Sequence, residues 1–487
     1  MTTSQGIPVL ENTFARELPD MYEAWSADEV NSPKALVINE SLAIELGLDV
    51  EWLLSEDGAS FLVGNSRAPG STPIAQAYAG HQFGGFSPRL GDGRALLLGE
   101  HITPVGSRVD FHLKGSGRTR FSRGGDGKAA VGPMLREYVI SEAMHALGIP
   151  TTRALSVVAT NQTVRRDEML PGAVLCRVAS SHLRVGSFQY AASLTEDHVA
   201  RLVNYSIARH LPEIADAPNR AVALFESVLA RQAKLIAQWM SVGFIHGVMN
   251  TDNMTISGET LDYGPCAFMD SYDPKTVFSS IDHGGRYAFG NQPYIAQWNL
   301  ARFAETLLPL MHEHEDQAVD IATELVNRFP ERFEREWHEM MCEKLGLPAS
   351  SDVQLVHDLL SLFESQKVDY TNGMRALSDV VRGNPQKIHS VLTDISAFES
   401  WSGRWLDAVG NGNRIAIADA MDRANPSYIP RNHLVEIALA AGSRGDLAPV
   451  NDLVAVLADP FTERAGLESY TQAMPADWEG YQTFCGT

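Results

Sequence analysis

An asparagine and two aspartates in the middle of the chain have the side-chain chemistry of a divalent-cation site. They lie in the stretch HGVMNTDNMTISGETLDYGPCAFMD, from His246 to Asp270. Asn253 and Asp262 offer hard oxygen ligands, which suit magnesium or manganese bridging phosphate groups. Asp252 directly precedes Asn253 and adds a second carboxylate to the segment. These residue types indicate metal-assisted chemistry on a phosphorylated substrate.

The spacing of these residues matches part of a kinase-type catalytic pattern, H-x-D-x-x-x-x-N followed by D-F-G. With the pattern placed on His246, Asn253 takes the asparagine position and Asp262, followed by Tyr-Gly, takes the D-F-G position. Val248 stands where the catalytic aspartate is usual. Since valine cannot accept a proton, Asp252 is the candidate substitute base. An isolated Asp-Asn pair is more often a plain polar turn, but the flanking residues here favour a site.

Two neighbouring elements are predicted to position this stretch. The segment MTISGETL reads as a tight hairpin with its turn at residues 257–259, which would bring Asn253 back beside Asp262. A long amphipathic helix is predicted over residues 222–242 and leads straight into His246. Most of the chain from Asn291 onward is also predicted to be helical.

A lysine and a glutamate before this stretch could hold phosphate groups. Residues 108–114, RVDFHLK, alternate strictly, which predicts a half-buried strand ending at Lys114. A Gly-rich basic loop follows, and then Pro133 opens a predicted helix that Gly148 closes. Glu137 lies early in that helix, and a strand lysine oriented by a helix glutamate is the kinase arrangement. The alternative is that Lys114 is only a solvated strand end. Because Lys114 ends a strand, Lys114→Ala is expected to lose activity while the fold survives.

Glycines and arginines elsewhere are candidates for phosphate contacts. Gly91, Gly93 and Arg94 belong to a Gly-Asp-Gly-Arg turn whose backbone N–H groups and guanidinium could approach a phosphate. A plain hairpin turn is equally compatible with these residues. Arg177 and Arg184 could reach phosphate or simply line the surface.

Composition excludes several classes of partner. The chain has 487 residues, 44% of them hydrophobic, and a net charge of -21. This charge disfavours nucleic acid as a partner. There is no apolar run long enough to cross a bilayer, so no membrane partner is expected, and the first residues do not resemble a secretory signal.

The cysteines indicate a reducing, cytoplasmic setting. Four of them, at positions 176, 266, 342 and 485, are widely spread and form no paired metal spacing. Cys485 is third from the end of the chain. It is either an incidental thiol or a redox-active tail that links to redox partners.

Long motifs of this chain resemble the selenoprotein O family of pseudokinase-like proteins. They are YAGHQFGGFSPRLGDGRALLLGE, LKGSGRTRFSR followed by DGK, REYVISEAMHALGIPTTRAL, GVMNTDNM and LDYGPCAFMD. The motifs are long and highly specific, and the resemblance covers most of the chain. The cysteine near the C-terminus is also similar to the family, whose animal members carry selenocysteine there.

The resemblance implies an α+β fold, namely a protein-kinase-like two-lobed fold with an N-terminal extension and a large helical C-terminal region. The expected divisions are an N-terminal extension over residues 1–85 and a kinase-like first lobe over 86–190. A second-lobe core with the catalytic stretch is expected over 191–310, and the helical region over 311–487.

The resemblance also implies an activity, the transfer of AMP from ATP to hydroxyl side chains of protein substrates, with ATP bound in a flipped orientation. By motif, Asp252 is the proton acceptor, and Asn253 and Asp262 bind Mg²⁺ or Mn²⁺. The implied nucleotide-binding residues are Gly91, Gly93, Arg94, Lys114, Asp126, Gly127, Glu137, Arg177, Arg184 and Asp262.

Two other functions compete with AMP transfer. One is an ordinary phosphotransferase that uses Asp252 as its base, and the other is an inert nucleotide-binding scaffold. The intact set of Lys, Glu, Asn and Asp argues against inertness. One feature departs from some bacterial relatives: residues 275–282, KTVFSSID, contain no cysteine that could pair with Cys485. An internal regulatory disulfide to this segment is therefore not expected.

Overall fold

The computed structural model describes residues 2–3, 7–475, 478 and 480–484. Within them the protein is mixed α/β, with a large antiparallel sheet in the first part of the chain and helices through most of the rest. The strands are β1 Leu10–Glu11, β2 Tyr22–Ala24, β3 Lys34–Ile38, β4 Ile74–Gln76, β5 Gly80–Gln82, β6 Gly85–Ser87, β7 Ala95–Ile102, β8 Arg108–Lys114, β9 Ala129–Ala130, β10 Arg153–Arg165, β11 Met169–Ala179, β12 Phe244–Ile245 and β13 Ala267–Phe268.

Among the helices, four short ones precede β4 in the chain, α5 lies between β9 and β10, and the remaining ones follow β11. They are α1 Thr13–Glu17, α2 Glu40–Glu45, α3 Val50–Leu54, α4 Glu56–Leu62, α5 Val131–Ala146, α6 Val185–Leu194, α7 Glu196–His210, α8 Arg220–Ser241, α9 Gln292–Met311, α10 Glu315–Asn327, α11 Phe329–Lys344, α12 Val353–Gln366, α13 Tyr370–Val381, α14 Gln386–His389, α15 Ile395–Val409, α16 Arg414–Ala424, α17 Asn432–Ser443 and α18 Ala448–Leu457. Short 3₁₀ turns include Thr251–Asn253. None of the described helices is long and apolar enough to cross a membrane.

The large sheet places the end of β8 between two other strands. The strand order is β2-β4-β7-β8-β11-β10-β3, with β1 added on β7 and β9 on β11, and every pairing is antiparallel. Lys114 pairs with Ala95 of β7 on one side and with Leu175 of β11 on the other. Its backbone is therefore fixed by two neighbours.

The alternation predicted for β8 is present, but the strand is buried on both faces rather than on one. Phe111 and Leu113 belong to a core shared with helices α2, α3 and α4. On the opposite face His112 is fully buried, and Asp110 accepts a hydrogen bond of 2.6 Å from Arg209 of α7. The sequence pattern suggested a solvated face because Asp110, His112 and Lys114 are polar. In the structure these side chains are buried and hydrogen-bonded, since buried polar groups need hydrogen-bond partners.

Helix α5 carries Glu137 and lies against the sheet. It begins at Val131, two residues before Pro133, because proline is tolerated in the first turn, where its missing N–H would have no intrahelical partner. Leu135 is fully buried in the main core. The helix ends at Ala146, and Gly148 adopts a left-handed φ of +75°, as expected of a glycine just past a helix end.

The helical part begins at Val185, the first residue of helix α6, and leads into the catalytic stretch. Helix α8 is 22 residues long, and Asn219 caps it by accepting a hydrogen bond from the Val222 N–H at 3.0 Å. After α8, the short strand β12 delivers the chain to His246, and β13 returns after residue 264.

Candidate active site

Most of the predicted site residues lie around one cleft of 530 Å³. The cleft is formed by the turn before β7, the end of β8, the loop before β9, strand β11 and the segment 248–265. The predicted residues that line it are Gly91, Gly93, Arg94, Lys114, Asp126, Gly127, Arg177, Arg184, Asp252, Asn253 and Asp262. Glu137 lies behind the cleft wall, where it contacts Lys114.

Three cations converge on Asp262. Lys114 Nζ and Arg177 Nη1 each lie 2.7 Å from Asp262 Oδ1, and Arg184 Nη1 lies 3.8 Å from Oδ2. Burial alone would raise the pKa of Asp262, but these three charges hold it well below its usual range. Asp262 also has a left-handed φ of +66°, which is rare for a residue with a side chain and aims the carboxylate at the cations.

Lys114 is a buried, ion-paired residue and not a solvated strand end. It is 5% exposed, and its ammonium forms an ion pair with the carboxylate of Glu137, which is 4% exposed. Arg177 Nη1 lies 3.8 Å from the same carboxylate. Glu137 therefore fixes the lysine between helix α5 and Asp262.

Asp252 is a buried carboxylate with one oxygen left for a ligand. Oδ2 accepts a hydrogen bond from Gln82 Nε2 at 3.1 Å. Oδ1 is buried and has no hydrogen-bond partner within the described part of the chain. Burial raises the pKa of Asp252 to about 6, and the charge of Arg184 acts in the opposite direction. A carboxyl group with this pKa can take up a proton near neutral pH.

The segment between Asn253 and Asp262 makes a turn, but the predicted hairpin is wrong. Its two arms pair with other parts of the chain: Thr255 bridges to Arg184 and Thr260 bridges to Thr151. The turn is closed instead by Thr255 Oγ1, which donates to the Glu259 carbonyl at 2.6 Å. The pairing partners differ because the arms lie against β10 and the start of α6. Both candidate ligands nevertheless line the same cleft.

The amide of Asn253 is oriented for cation binding. Its Nδ2 donates to the Val248 carbonyl at 2.9 Å. This bond uses the donor end of the amide on the protein and leaves the oxygen, which is the atom that binds hard cations.

The glycines of the cleft are required by packing. A Cβ at Gly91 would lie 2.3 Å from the Phe121 ring, and one at Gly127 would lie 2.0 Å from the Gly117 carbonyl oxygen. The N–H groups of residues 92 and 93 donate within the protein, to Gln76 and Gly91. These two N–H groups therefore do not serve a phosphate, and the turn contributes its arginine.

Asp126 is also committed to the protein. Its carboxylate accepts a hydrogen bond from the Lys128 N–H at 3.0 Å and one from Arg166 Nη1 at 2.9 Å. It shapes the loop before β9 rather than pointing an unpaired charge into the cleft.

Unpartnered cationic atoms around the cleft fit a phosphorylated ligand. Arg94 Nη1, Arg177 Nε and Arg184 Nη2 are buried and make no hydrogen bond to any described residue. Buried donors of this kind need an acceptor, and phosphate oxygens match guanidinium geometry. Among the described residues no group of three His, Cys, Asp or Glu side chains is arranged to hold a metal. A cation here would instead take the oxygens of Asn253 and Asp262, completed by a ligand, as is usual for magnesium beside phosphates.

Several residues of the site were missed by sequence reasoning. Gln82 binds Asp252, the ring of Tyr78 lies 4.3 Å from the Arg184 guanidinium carbon, and Asn250 lines the cleft. Tyr78 and Gln82 lie in the motif YAGHQFGG before β7, and their place in this family motif was the signal that could have found them.

The described part of the C-terminal tail runs beside the segment 275–282. Thr483 bridges to Ser279, and its Oγ1 donates to the Pro265 carbonyl at 2.7 Å. Cys485 lies outside the described residues. Its redox role stays a prediction.

A cleft at the end of a central strand, lined by buried cations and carboxylates, fits an enzyme that handles phosphorylated substrates. Residues 9–458 match the family model described as protein adenylyltransferase SelO, and the chain belongs to this family. It is an enzyme, a protein nucleotidyltransferase.

Relatives of the chain carry the description protein nucleotidyltransferase YdiU. The one from Mycolicibacterium smegmatis is 57% identical over 494 residues, covering 100% of this chain and 99% of the relative. The one from Pseudarthrobacter chlorophenolicus is 55% identical, covering 98% of each chain. The one from Geobacillus kaustophilus is 52% identical, covering 98% of this chain and 99% of the relative.

Proposed function

We propose that this protein transfers AMP from ATP to serine, threonine or tyrosine hydroxyls of protein substrates and releases pyrophosphate. The observation that carries the proposal is the set of three buried cations, Lys114, Arg177 and Arg184, around Asp262 in a cleft with unpartnered guanidinium atoms. Membership of a family described as protein adenylyltransferases supports AMP as the transferred group.

In the proposed reaction the hydroxyl oxygen of the protein substrate bonds to the α-phosphorus. The bond from that phosphorus to the bridging oxygen breaks, and pyrophosphate leaves with the bond electrons. Asp252 takes the hydroxyl proton, for which its unpartnered Oδ1 and its pKa of about 6 are suited. Arg94, Arg177 and Arg184 stabilise the phosphate charges, which is the larger share of catalysis in such transfers.

Asn253 and Asp262 are the proposed ligands of Mg²⁺ or Mn²⁺. A bound cation would neutralise charge on the phosphates and on the leaving pyrophosphate. Asp262 is suited to this role because its pKa lies well below the usual range, so it is ionised at any physiological pH. Lys114 would then be free to move its ammonium toward phosphate, still held by Glu137.

The proposed architecture is a protein-kinase-like two-lobed fold. The first lobe would span residues 86–190, with β7, β8, β10, β11 and α5, and the second-lobe core would span 191–310. An N-terminal extension, 1–85, and a helical region, 311–487, complete the chain. Strands β1 to β4 of the extension add to the large sheet, so the extension would be part of the body of the first lobe. The flipped orientation of ATP is part of this proposal.

The proposed setting is the reducing cytoplasm. Of the described cysteines, Cys176, Cys266 and Cys342 are buried free thiols. Burial raises the pKa of the Cys176 and Cys266 thiols to about 12, which keeps them unreactive. Protein substrates are the proposed partners, and the charge of -21 disfavours nucleic acid.

Intact-mass analysis of a protein acceptor incubated with ATP and magnesium tests the proposal. A gain equal to one AMP supports it. A gain equal to one phosphate would identify the alternative, a phosphotransferase with Asp252 as base. No gain on any acceptor, the enzyme itself included, would favour a scaffold that only binds nucleotide.

A further inference from the structure

The β5–β6 hairpin is fastened to the catalytic segment by three successive residues. The His81 N–H donates to Thr251 Oγ1 at 2.7 Å, and Gln82 Nε2 donates to Asp252 Oδ2 at 3.1 Å. The Phe83 N–H donates to Asn250 Oδ1 at 3.1 Å. The tip of the hairpin is thus held at a fixed distance from the candidate base.

Large apolar side chains are exposed on this hairpin and on the adjoining wall of the cleft. Phe83 and Ile281 line the cleft and are 40% and 49% exposed, and Phe86, which packs on the His81 ring of the same hairpin, is 50% exposed. Exposed apolar side chains beside a cleft commonly mark an interaction site. Because Gln82 of the same hairpin contacts Asp252, this surface lies close to the candidate base.

An arginine without an ion pair completes the surface. Arg286 lies beside the hairpin tip, since a Cβ at Gly84 would be 3.8 Å from its guanidinium carbon. It stacks over Trp298 at 4.9 Å and over Tyr287 at 5.7 Å, and it donates a hydrogen bond to the Tyr287 hydroxyl. None of the ion pairs within the described residues involves it. Its Nε is buried and has no hydrogen-bond partner in the described part of the chain. In a protein with a net charge of -21, a guanidinium without a carboxylate partner among the described residues favours an acidic ligand at this position.

We infer that this surface, made of Phe83, Phe86, Ile281 and Arg286, docks the protein substrate through an extended acidic segment. The inference rests on the proposed function and adds the class of sequence that the enzyme accepts. An acidic side chain near the acceptor hydroxyl pairs with Arg286, and an apolar neighbour covers the two phenylalanines. The hydroxyl then lies next to Gln82 and Asp252.

Binding of matched peptides tests the inference. Two short fluorescein-labelled peptides share a central serine and a leucine, and differ only in flanking aspartates or lysines. Fluorescence anisotropy with the full chain, ATP and magnesium gives both dissociation constants. The aspartate peptide is expected to bind more tightly, and Arg286→Glu should weaken its binding roughly three- to tenfold. Phe86→Ser should weaken both peptides, while Arg414→Glu, the same charge change on exposed helix α16, should change neither.

ATP affinity of the same variants separates this surface from the nucleotide site. Arg286→Glu is expected to bind ATP as the wild type does. Equal binding of the two peptides, a preference for lysine, or a loss of ATP affinity in Arg286→Glu would overturn the inference. A wild type that binds the aspartate peptide but transfers no AMP would instead contradict the proposed function.

Discussion

Arg177 is held from behind by His112, whose Nδ1 lies 3.3 Å from Arg177 Nη2. Because a guanidinium only donates, Nδ1 must be the acceptor, and the imidazole proton is on Nε2, which donates to Asp92 Oδ2 at 3.2 Å. His112 is therefore neutral, and burial lowers its pKa in agreement with this. The His112 ring therefore links Asp92, in the turn before β7, to Arg177 of β11.

We expect His112→Ala to weaken ATP binding by roughly tenfold or more, since a hydrogen bond to a charged group is worth about 1.5–3 kcal/mol. Titration calorimetry with ATP and magnesium measures this. His101→Ala is the matched control, because His101 is also a buried histidine of the sheet, does not line the cleft, and contacts the Leu46 carbonyl through Nε2 at 2.8 Å. Equal losses in the two variants would mean that His112 acts on stability alone.

Asp262→Asn should lower transfer by at least roughly 100-fold, because the phosphates lose their cation bridge. Asparagine tolerates the left-handed backbone at this position, so the change removes charge without adding strain. Asp126 lines the same cleft but forms an ion pair with Arg166. Asp126→Asn is therefore the matched control and should keep most of the activity. Wild-type turnover by Asp262→Asn in magnesium would show that the metal assignment is wrong.

Lys114→Ala, and equally Lys114→Met, which keeps the length of the side chain, is expected to lose activity and also stability. The sequence had suggested that truncation here would leave the fold intact. In the structure, removing the ammonium leaves the buried Glu137 carboxylate with the more distant Arg177, at 3.8 Å, as its counter-charge, and losing the partner of a buried ion pair costs up to about 3–5 kcal/mol. Thermal unfolding of Lys114→Met and of Lys114→Met with Glu137→Gln tests this. The double variant should recover melting temperature but not activity, and an unshifted single variant would contradict the burial argument.

Asp252 can be a base or a metal ligand, and two measurements separate the roles. If it is the base, Asp252→Asn should reduce turnover strongly while ATP affinity in magnesium stays near normal. If it binds metal, affinity should also fall and added metal should partly restore it. Wild-type transfer rates in both Asp252→Asn and Asp252→Ala would exclude Asp252 from the chemistry.

Stability should fall as the pH is lowered through about 6.5, the ordinary histidine pKa. Burial, with the neighbouring His112, lowers the pKa of His182 well below its usual range, and burial lowers that of His112 too. In this window the unfolded chain binds protons that the folded chain does not, so the free energy of unfolding decreases with falling pH. Melting temperatures between about pH 8 and about pH 5 measure it. His182→Asn should give a shallower slope, and an identical slope would assign the effect to other groups.

The site could be predicted from the sequence wherever one segment carries the chemistry. Asn253 and Asp262 were found because they share a spacing pattern, and Lys114 because it ends a strand of strict alternation. Gln82 and His112 were not found, because their roles depend on partners that are distant in the sequence. Gln82 contacts Asp252, 170 positions away, and His112 contacts Arg177, 65 positions away. The predicted hairpin over residues 254–261 was wrong for the same reason. The turn residues were identified correctly, but Thr255 and Thr260 pair with Arg184 and Thr151, which are distant in the sequence.

The convergence of Lys114 and Arg177 on Asp262 has a consequence for biosynthesis. The two cations are made long before the carboxylate, which lies 148 and 85 residues further along the chain. Until the segment 248–265 leaves the ribosome, Glu137 would be the nearest carboxylate to both cations in the nascent sheet. The second carboxylate, Asp262, becomes available only after α8 and the catalytic segment have been synthesised. Truncated products that end before residue 246 should be recognised by chaperones and proteases as unfinished proteins.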